Sequence, residues 1–428
     1  TIRADIFERW GPIGLIAAIT IATRAFYLGD PAPTFDEQLY NLIGHHMLSG
    51  SLPYVDLWDR KPIGLFLIFA LAHAIGPLAG LSGTVMYQLF AIGTTFAGGW
   101  LVWHLASLLK PGRGALVAGV TYPVLISMFG SQVGQSEGYY MPLMLGILAL
   151  VEKGMRHADR EDPLRIFSVA MLLAGVGLQI KYTVAPQCVF LGLVCLWVLH
   201  RRGTPLARLA SIGALFAILG LLPTAAALLY YILVGQADAF IFANFISIFD
   251  RGAPAGSKFN FLLPYFVLPA AFAIAGMATL VLRRERPGST YLLYAGWTVS
   301  CAAGVFMGST VYPYYLASVI PGALLMAAPL FAVQSRTLTF AFLGSLLILF
   351  NFPGRLAFSH NTRIQLVQLT KAVQPYVGAK SHCLYVFDGP TALYEETGSC
   401  LPTRFIYPDH LNNALEEHSL GIDTAGEI

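Results

Sequence analysis

Thr34-Phe35-Asp36-Glu37-Gln38-Leu39-Tyr40 opens a loop that closes on Asp59-Arg60-Lys61-Pro62, between the first two apolar runs of the chain. Ionisable groups at the edge of apolar segments are costly, so adjacent carboxylates and a lysine there mark a site by default. The loop carries its own helix pattern. Thr34 with Glu37 three residues on fits a capping box. Phe35, Leu39, Leu42, Ile43 and Met47 form one stripe at helical spacing, Glu37, Asn41 and His45 lie opposite, and Gly50 is a plausible stop. A helix of this kind is expected to lie in the membrane interface rather than span it.

Hydrophobic residues make up 56% of the chain and charged residues 11%, outside the range of soluble globular domains. Apolar runs near the length of a membrane crossing recur at 10–28, 62–80, 84–109, 115–131, 138–151, 166–180, 184–199, 209–234, 261–282, 289–308, 315–333 and 337–352. Backbone groups in lipid must be satisfied within the segment, and barrel-type alternation is absent, so these runs read as helices. The expected fold is an all-α polytopic membrane protein with roughly 11–13 transmembrane helices. A transmembrane domain is expected over 1–352. Over 353–428 a small extracytoplasmic α/β domain is expected, with a helix at 362–377, strand-like stretches at 382–388 and 403–407, and a short helix at 390–397. That small domain looks incomplete where the sequence stops at Ile428, and the start at Thr1 without methionine suggests that residues precede it. The first segment is long enough to stay as an anchor rather than be cleaved.

Basic residues cluster at Arg3/Arg9, Lys110/Arg113, Lys153/Arg156/Arg160/Arg165, Arg201/Arg202/Arg208, Arg283/Arg284/Arg286 and Arg336. The positive-inside rule puts these in the cytoplasm. The loops 29–61, 131–138, 180–184, 235–260 and 309–314 and the tail then share the other side. A full crossing at 62–80 would reverse everything after it. Either that segment dips in without crossing, or the segmentation there is off by one. Cys188, Cys195 and Cys301 lie in apolar runs and read as packing residues. Cys383 and Cys400 lie in the tail and can pair if it is outside the cytoplasm.

The unusual residues on the non-cytoplasmic side are Asp36, Glu37, Asp56, Asp59, Arg60, Lys61, Glu137, Lys181, Arg251 and Lys258. Together they offer what transfer from a lipid phosphate to a hydroxyl needs: a carboxylate to accept the hydroxyl proton and a cation for the departing phosphate. Each also has a plainer reading. Glu37 can serve only as the partner of Thr34, and Asp36 can favour the helix dipole. Lys61 and Lys181 can snorkel to the interface, and Asp59-Arg60-Lys61 can form a surface ion-pair cluster. Glu137 can be a solvated residue at a span boundary. Tyr312, Tyr314 and Tyr315 fit an interfacial aromatic belt or a sugar-stacking surface. His45 and His46 point about 100° apart on a helix and make a poor chelating pair by themselves. No nucleotide-binding glycine loop, zinc spacing, serine nucleophile elbow or nucleic-acid-binding basic tract is present. A lipid-linked donor suits such a chain better than a sugar nucleotide.

Asp36-Glu37 after the first span, Lys61-Pro62 opening the second run, Glu137 at a later span, Lys181 in Gln179-Ile180-Lys181-Tyr182-Thr183, and Tyr312-Pro313-Tyr314-Tyr315 running to Pro321 follow a shared order. That order resembles the GT-C membrane glycosyltransferases, in the branch of protein mannosyltransferase-like and aminoarabinose transferase-like enzymes. The resemblance covers most of 1–350. It implies transfer of a sugar, with inversion, from a polyprenyl-phosphate donor to a lipid, glycan or protein hydroxyl, with the active site facing the periplasm or exterior of a bacterial inner membrane. It implies Asp36, Glu37 and Glu137 as catalytic carboxylates and Lys61, Arg60 and Lys181 as donor-phosphate ligands. Tyr40, Asp59, Arg251, Lys258, Tyr312 and Tyr314 are expected to line the substrate cavity. A divalent metal ion is compatible with such a site, since hard ions need few protein oxygens. The chain departs from the family pattern where Ile63 replaces a second proline and Tyr314 a common histidine. A transporter or lipid flippase, or a non-catalytic membrane subunit, are the competing readings. The charges gather at one membrane face and no paired repeat is evident, unlike many transporters.

Overall fold

The computed structural model describes residues 2–158, 162–252, 258–308, 311–377, 382–416 and 419–422, with the side chains of 2–9 and 258–260 outside that description. Among the described residues every regular element is a helix. In chain order they are α1 (Ile2–Arg24), α2 (Phe35–Met47), α3 (Ile63–Ile75), α4 (Gly83–Leu109), α5 (Arg113–Met128), α6 (Ser136–His157), α7 (Leu164–Leu178), α8 (Ala185–Arg201), α9 (Leu206–Leu233), α10 (Ala237–Ile241), α11 (Ser247–Asp250), α12 (Lys258–Leu282), α13 (Ser289–Val305), α14 (Ile320–Val333), α15 (Arg336–Phe350), α16 (Phe352–Val373), α17 (Leu393–Thr397) and α18 (Pro408–Asn412). Among the described residues five helical stretches are long and apolar enough to cross a membrane by length and composition.

Side-chain bonds between helix ends show which ends lie together. Arg24 closes α1 with bonds to Ser127 and the Ser131 carbonyl beyond α5. Gln88 near the start of α4 bonds to Gly29 and Asp30. At the far end, Arg156 reaches the Leu108 carbonyl, Thr290 reaches Glu152, and Arg113 reaches the Gln334 carbonyl. Thus the helix ends gather at two faces, and of the 11–13 crossings expected those five stretches are the ones with the length and apolarity of a span among the described residues. The basic loops after α4, α6, α8, α12 and α14 share one face, and the loop 29–61 lies on the other.

This arrangement resolves the conflict at 62–80, because α3 does not cross. It has 13 residues, about 20 Å of helix, against a hydrocarbon core of about 30 Å. Both of its ends meet the same face. Leu65 donates to the Gln179 carbonyl at 3.1 Å, and His73 Nε2 lies 2.9 Å from Asn41 Oδ1. Two glycines permit this seat. A Cβ on Gly44 would lie 2.5 Å from Phe69 Cβ, and one on Gly64 would lie 2.6 Å from the Gln179 carbonyl oxygen. So α2 lies directly on α3, and α3 lies against the turn that carries Lys181.

Three expectations are corrected. First, the polar side of α2 is largely packed within the protein: Glu37 and Asn41 are as buried as Leu39, Leu42 and Ile43, while His45 and Phe35 are exposed. The tail covers the polar side, where Asn41 Nδ2 donates to Glu395 at 2.7 Å and the Ala392 amide donates to Gln38. Second, Thr34 is the N-cap residue, but its side chain makes no capping bond. Third, the tail shows no strand among its described residues, so the α/β expectation fails there. Its extended stretches are satisfied by side chains and by the first loop: Ser399 Oγ accepts from the Leu384 amide, the Tyr394 hydroxyl from the Val386 amide, and the Arg404 carbonyl from the Trp58 amide. The helix expected at 362–377 is instead α16, which begins ten residues earlier.

Cys383 and Cys400 are disulfide-bonded across a separation of 17 residues, while Cys188, Cys195 and Cys301 are free. Closing a loop of that size removes denatured-state entropy worth about 3 kcal/mol. Cys383→Ser is therefore expected to loosen the tail first, seen as faster proteolysis after Tyr376 with little change in the melting of the helical body.

Candidate active site

Where the loop 29–61, the turn 179–184, the segment 244–251 with α11, the 312–315 segment and the tail meet, they enclose a cavity of about 830 Å³. Asp36, Tyr40, Asp59, Arg60, Lys61, Lys181, Arg251, Tyr312 and Tyr314 all line it. Glu37 and Glu137 do not line it; both are fully buried behind its wall. Lys258 opens α12, and its side chain lies outside the described residues.

Asp36 sits in the first turn of α2. Its Oδ1 accepts from the Tyr407 hydroxyl at 3.1 Å, and its Oδ2 accepts from the Tyr314 hydroxyl at 3.2 Å and Gln135 Nε2 at 3.3 Å. Burial would raise its pKa, but Lys61 and these donors outweigh burial and hold the carboxyl below its ordinary value. The neighbouring Glu37 behaves oppositely. Burial, with the charge of Asp36 added, pushes it up to about 8, against the Thr34 hydroxyl and the Gly134 and Gln135 backbone that it faces. Two adjacent carboxyls are thus split into an ionised one in the cavity and a neutral one behind it, a pattern typical of tuned sites.

Lys61 is placed by Pro62 and by the buried Tyr54, whose hydroxyl donates to the Lys61 carbonyl at 2.8 Å. Its ammonium lies 5.6 Å from the Tyr40 ring centre. Burial would lower its pKa, but Asp59 and Asp36 raise it above the ordinary value, so it stays charged. Among the described residues it forms no ion pair, whereas every other cavity cation among those expected does. Lys181 pairs with Glu137 and lies 4.0 Å over the Tyr315 ring. Arg60 and Arg251 both pair with Glu416, and Arg251 also donates to the Tyr312 hydroxyl at 3.1 Å. Tyr312 and Tyr314 stack 5.4 Å apart, and Tyr315 packs edge-on to Tyr314.

Tyr407, Asp409, His410, Glu416, Gln135 and Asn244 also line the cavity, and the sequence reading did not single them out. The tail residues gave no local signal, because their polarity matches any solvated loop. Glu416 falls to about 2: burial would raise it, but the Arg60 hydrogen bonds, then the charges of Arg60 and Arg251, win. Since its folded pKa is depressed, its stabilising pairs are fully present above the ordinary glutamate range and are lost as pH falls through about 2. Tail docking is expected to weaken between about pH 4.5 and pH 2, measurable as rising protease sensitivity of the tail, and Glu416→Gln should remove that dependence.

No protein-family model and no curated protein matches the chain. Solved structures do. ArnT from Cupriavidus metallidurans, in a crystal structure with undecaprenyl phosphate bound, is similar over 98% of this chain and 78% of its own, with a TM-score of 0.58 at 18% identity. The Archaeoglobus fulgidus oligosaccharyltransferase, tethered to an acceptor peptide, is similar over 86% of this chain and 58% of its own, with a TM-score of 0.50 at 12% identity. The chain spans less than two thirds of that second protein. At these identities the likeness is one of fold, and it is the fold that the order of Asp36, Lys61, Glu137, Lys181 and Tyr314 implies: the chain has a GT-C-like fold, as these two proteins do.

Proposed function

We propose that the protein transfers a sugar from a polyprenyl-phosphate carrier to a hydroxyl acceptor at the membrane face opposite its basic loops. The observation that carries this reading is the shared cavity in which Asp36 and Lys61, which forms no ion pair among the described residues, both stand. Asp36 accepts the proton of the acceptor hydroxyl as its oxygen attacks the sugar's anomeric carbon. The bond from that carbon to the phosphate oxygen breaks, and the lipid phosphate leaves with the electron pair, stabilised by Lys61. Attack opposite the leaving group inverts the anomeric centre.

The remaining residues have supporting roles. Glu137 neutralises and orients Lys181, whose ammonium lies against Tyr315. Arg60 and Arg251, engaged by Glu416, hold the tail over the cavity, and Asp59 keeps Lys61 protonated. Tyr312 and Tyr314 offer ring faces to the sugar, while Glu37, uncharged near neutrality, keeps a second negative charge away from the base. The basic loops support a cytoplasmic position for their face. The Cys383–Cys400 bond supports an oxidising, periplasmic or exterior position for the site. The likeness to a protein crystallised with undecaprenyl phosphate supports the carrier class.

Binding is testable before the sugar is known. Native mass spectrometry of the purified chain with undecaprenyl phosphate should show one lipid per protein, displaced by excess carrier lipid and lost in Lys61→Ala. Equal retention by both proteins, or no retention by the wild type, would refute the donor site.

A further inference from the structure

Away from the cavity, α2, α3 and α17 bring His45, His73 and Glu395 together, with one donor atom from each lying within 4.8 Å of the others. We propose that these three side chains form a site for a divalent transition-metal ion of the zinc class, which clamps the tail to the first loop. This inference goes beyond the glycosyltransferase reading and does not depend on it.

The three side chains lie close enough for small motions to assemble a ligand set. The His45 and His73 rings stack parallel, 2° apart, at 4.5 Å, so one ring must turn for the two in-plane lone pairs to meet at one ion. His45 Nδ1 is 2.8 Å from Glu395 Oε1. A Cβ on Gly83 would lie 2.2 Å from His73 Nδ1, so that nitrogen packs on α4 and Nε2 turns to the cluster. Asn41 steadies both partners: its Nδ2 donates to Glu395 Oε2 at 2.7 Å, and its Oδ1 lies 2.9 Å from His73 Nε2. The contact to Glu395 is an outer one that orients the carboxylate before the ion arrives, whereas the contact to His73 occupies the ligating nitrogen until the ion displaces it. Two imidazoles and a carboxylate suit zinc, with water in the fourth position. The His45 side chain is 53% exposed, which gives that water access and lets the ring move. Bonds of about 2.0–2.1 Å to zinc require the donors to draw together, and the exposed His45 is the one free to do so. On binding, the ion replaces the proton held between His45 and Glu395 and the bond from His73 to Asn41. Affinity should therefore fall as pH drops.

The adjacent His46 provides an internal control, since its ring lies 5.9 Å from that of His45 and it supplies no ligand to the cluster. The test uses the full chain in detergent without an affinity tag, stripped by chelator, dialysed and exposed to one molar equivalent of zinc chloride. The expected result is one zinc retained per chain, X-ray absorption showing two imidazole nitrogens and a carboxylate oxygen, and a Tm that rises with free zinc. His45→Ala and Glu395→Gln should each weaken binding at least tenfold, while His46→Ala should not. Failure of the wild type to retain zinc, a spectrum without imidazole, or equal affinity in the His45 and Glu395 variants would overturn the site. The wild-type spectrum decides the matter even if a variant proves unstable.

Discussion

Asp36→Asn is expected to lower sugar transfer by about 10²–10⁴-fold, the range a positioned general base supplies. The substitution keeps the shape, and an amide oxygen can still accept from Tyr407, Tyr314 or Gln135. What it removes is the capacity to take a proton. The loss should appear in kcat, with binding of undecaprenyl phosphate unchanged, because the carboxylate acts on the acceptor rather than on the carrier. The wild-type pH profile carries a second mark of the same group. Asp36 is held below the ordinary aspartate range, so activity should persist below pH 5 until the carboxyl protonates, provided the tail stays docked. Measuring kcat and carrier binding in parallel separates the two roles. Full turnover in the asparagine variant would remove Asp36 as the base.

Lys61→Ala should fail differently. The departing phosphate gains negative charge as the bond breaks, and a cation poised there commonly contributes about 10²–10³-fold. Of the cavity cations expected to bind the donor phosphate, Lys61 is the one without a carboxylate partner among the described residues, while Arg60 and Lys181 are held by Glu416 and Glu137. Removing Lys61 should therefore depress both carrier affinity and turnover. Lys61→Arg restores charge but brings a planar, longer group, and partial recovery is expected. Substituting Arg60 should act chiefly through the tail, raising its protease sensitivity. If Lys61→Ala and Arg60→Ala lost equal carrier affinity with the tail still docked, the phosphate would be shared between them.

The sequence exposes the apolar helices because lipid leaves the backbone few alternatives, and it draws attention to Asp36, Lys61, Glu137 and Lys181 because charge is scarce in this chain. Two things stay hidden. The burial of α2 depends on a partner more than 340 residues away, Glu395 on Asn41 and His45, and no local periodicity records such a contact. The tail residues over the cavity, Tyr407 and Glu416 among them, are ordinary for a solvated loop, and their significance comes only from meeting Asp36 and Arg60. The strands expected at 382–388 and 403–407 fail for a related reason: their β-type composition is real, but Ser399, Tyr394 and Trp58 take their backbone bonds first. The second apolar run misleads by composition alone, since α3 is strongly apolar yet both its ends meet the same face.

That short helix changes the shape the bilayer must accommodate. Leu67, Leu71 and Leu78 point outward from α3 and the turn after it, but nothing of α3 continues down to the basic face. Lipid tails from the opposing leaflet are expected to fill the room below it, which would give the protein a wider outline in one leaflet than in the other. An asymmetric wedge of this kind favours curved over flat bilayers, and reconstitution yield should rise as vesicle diameter falls.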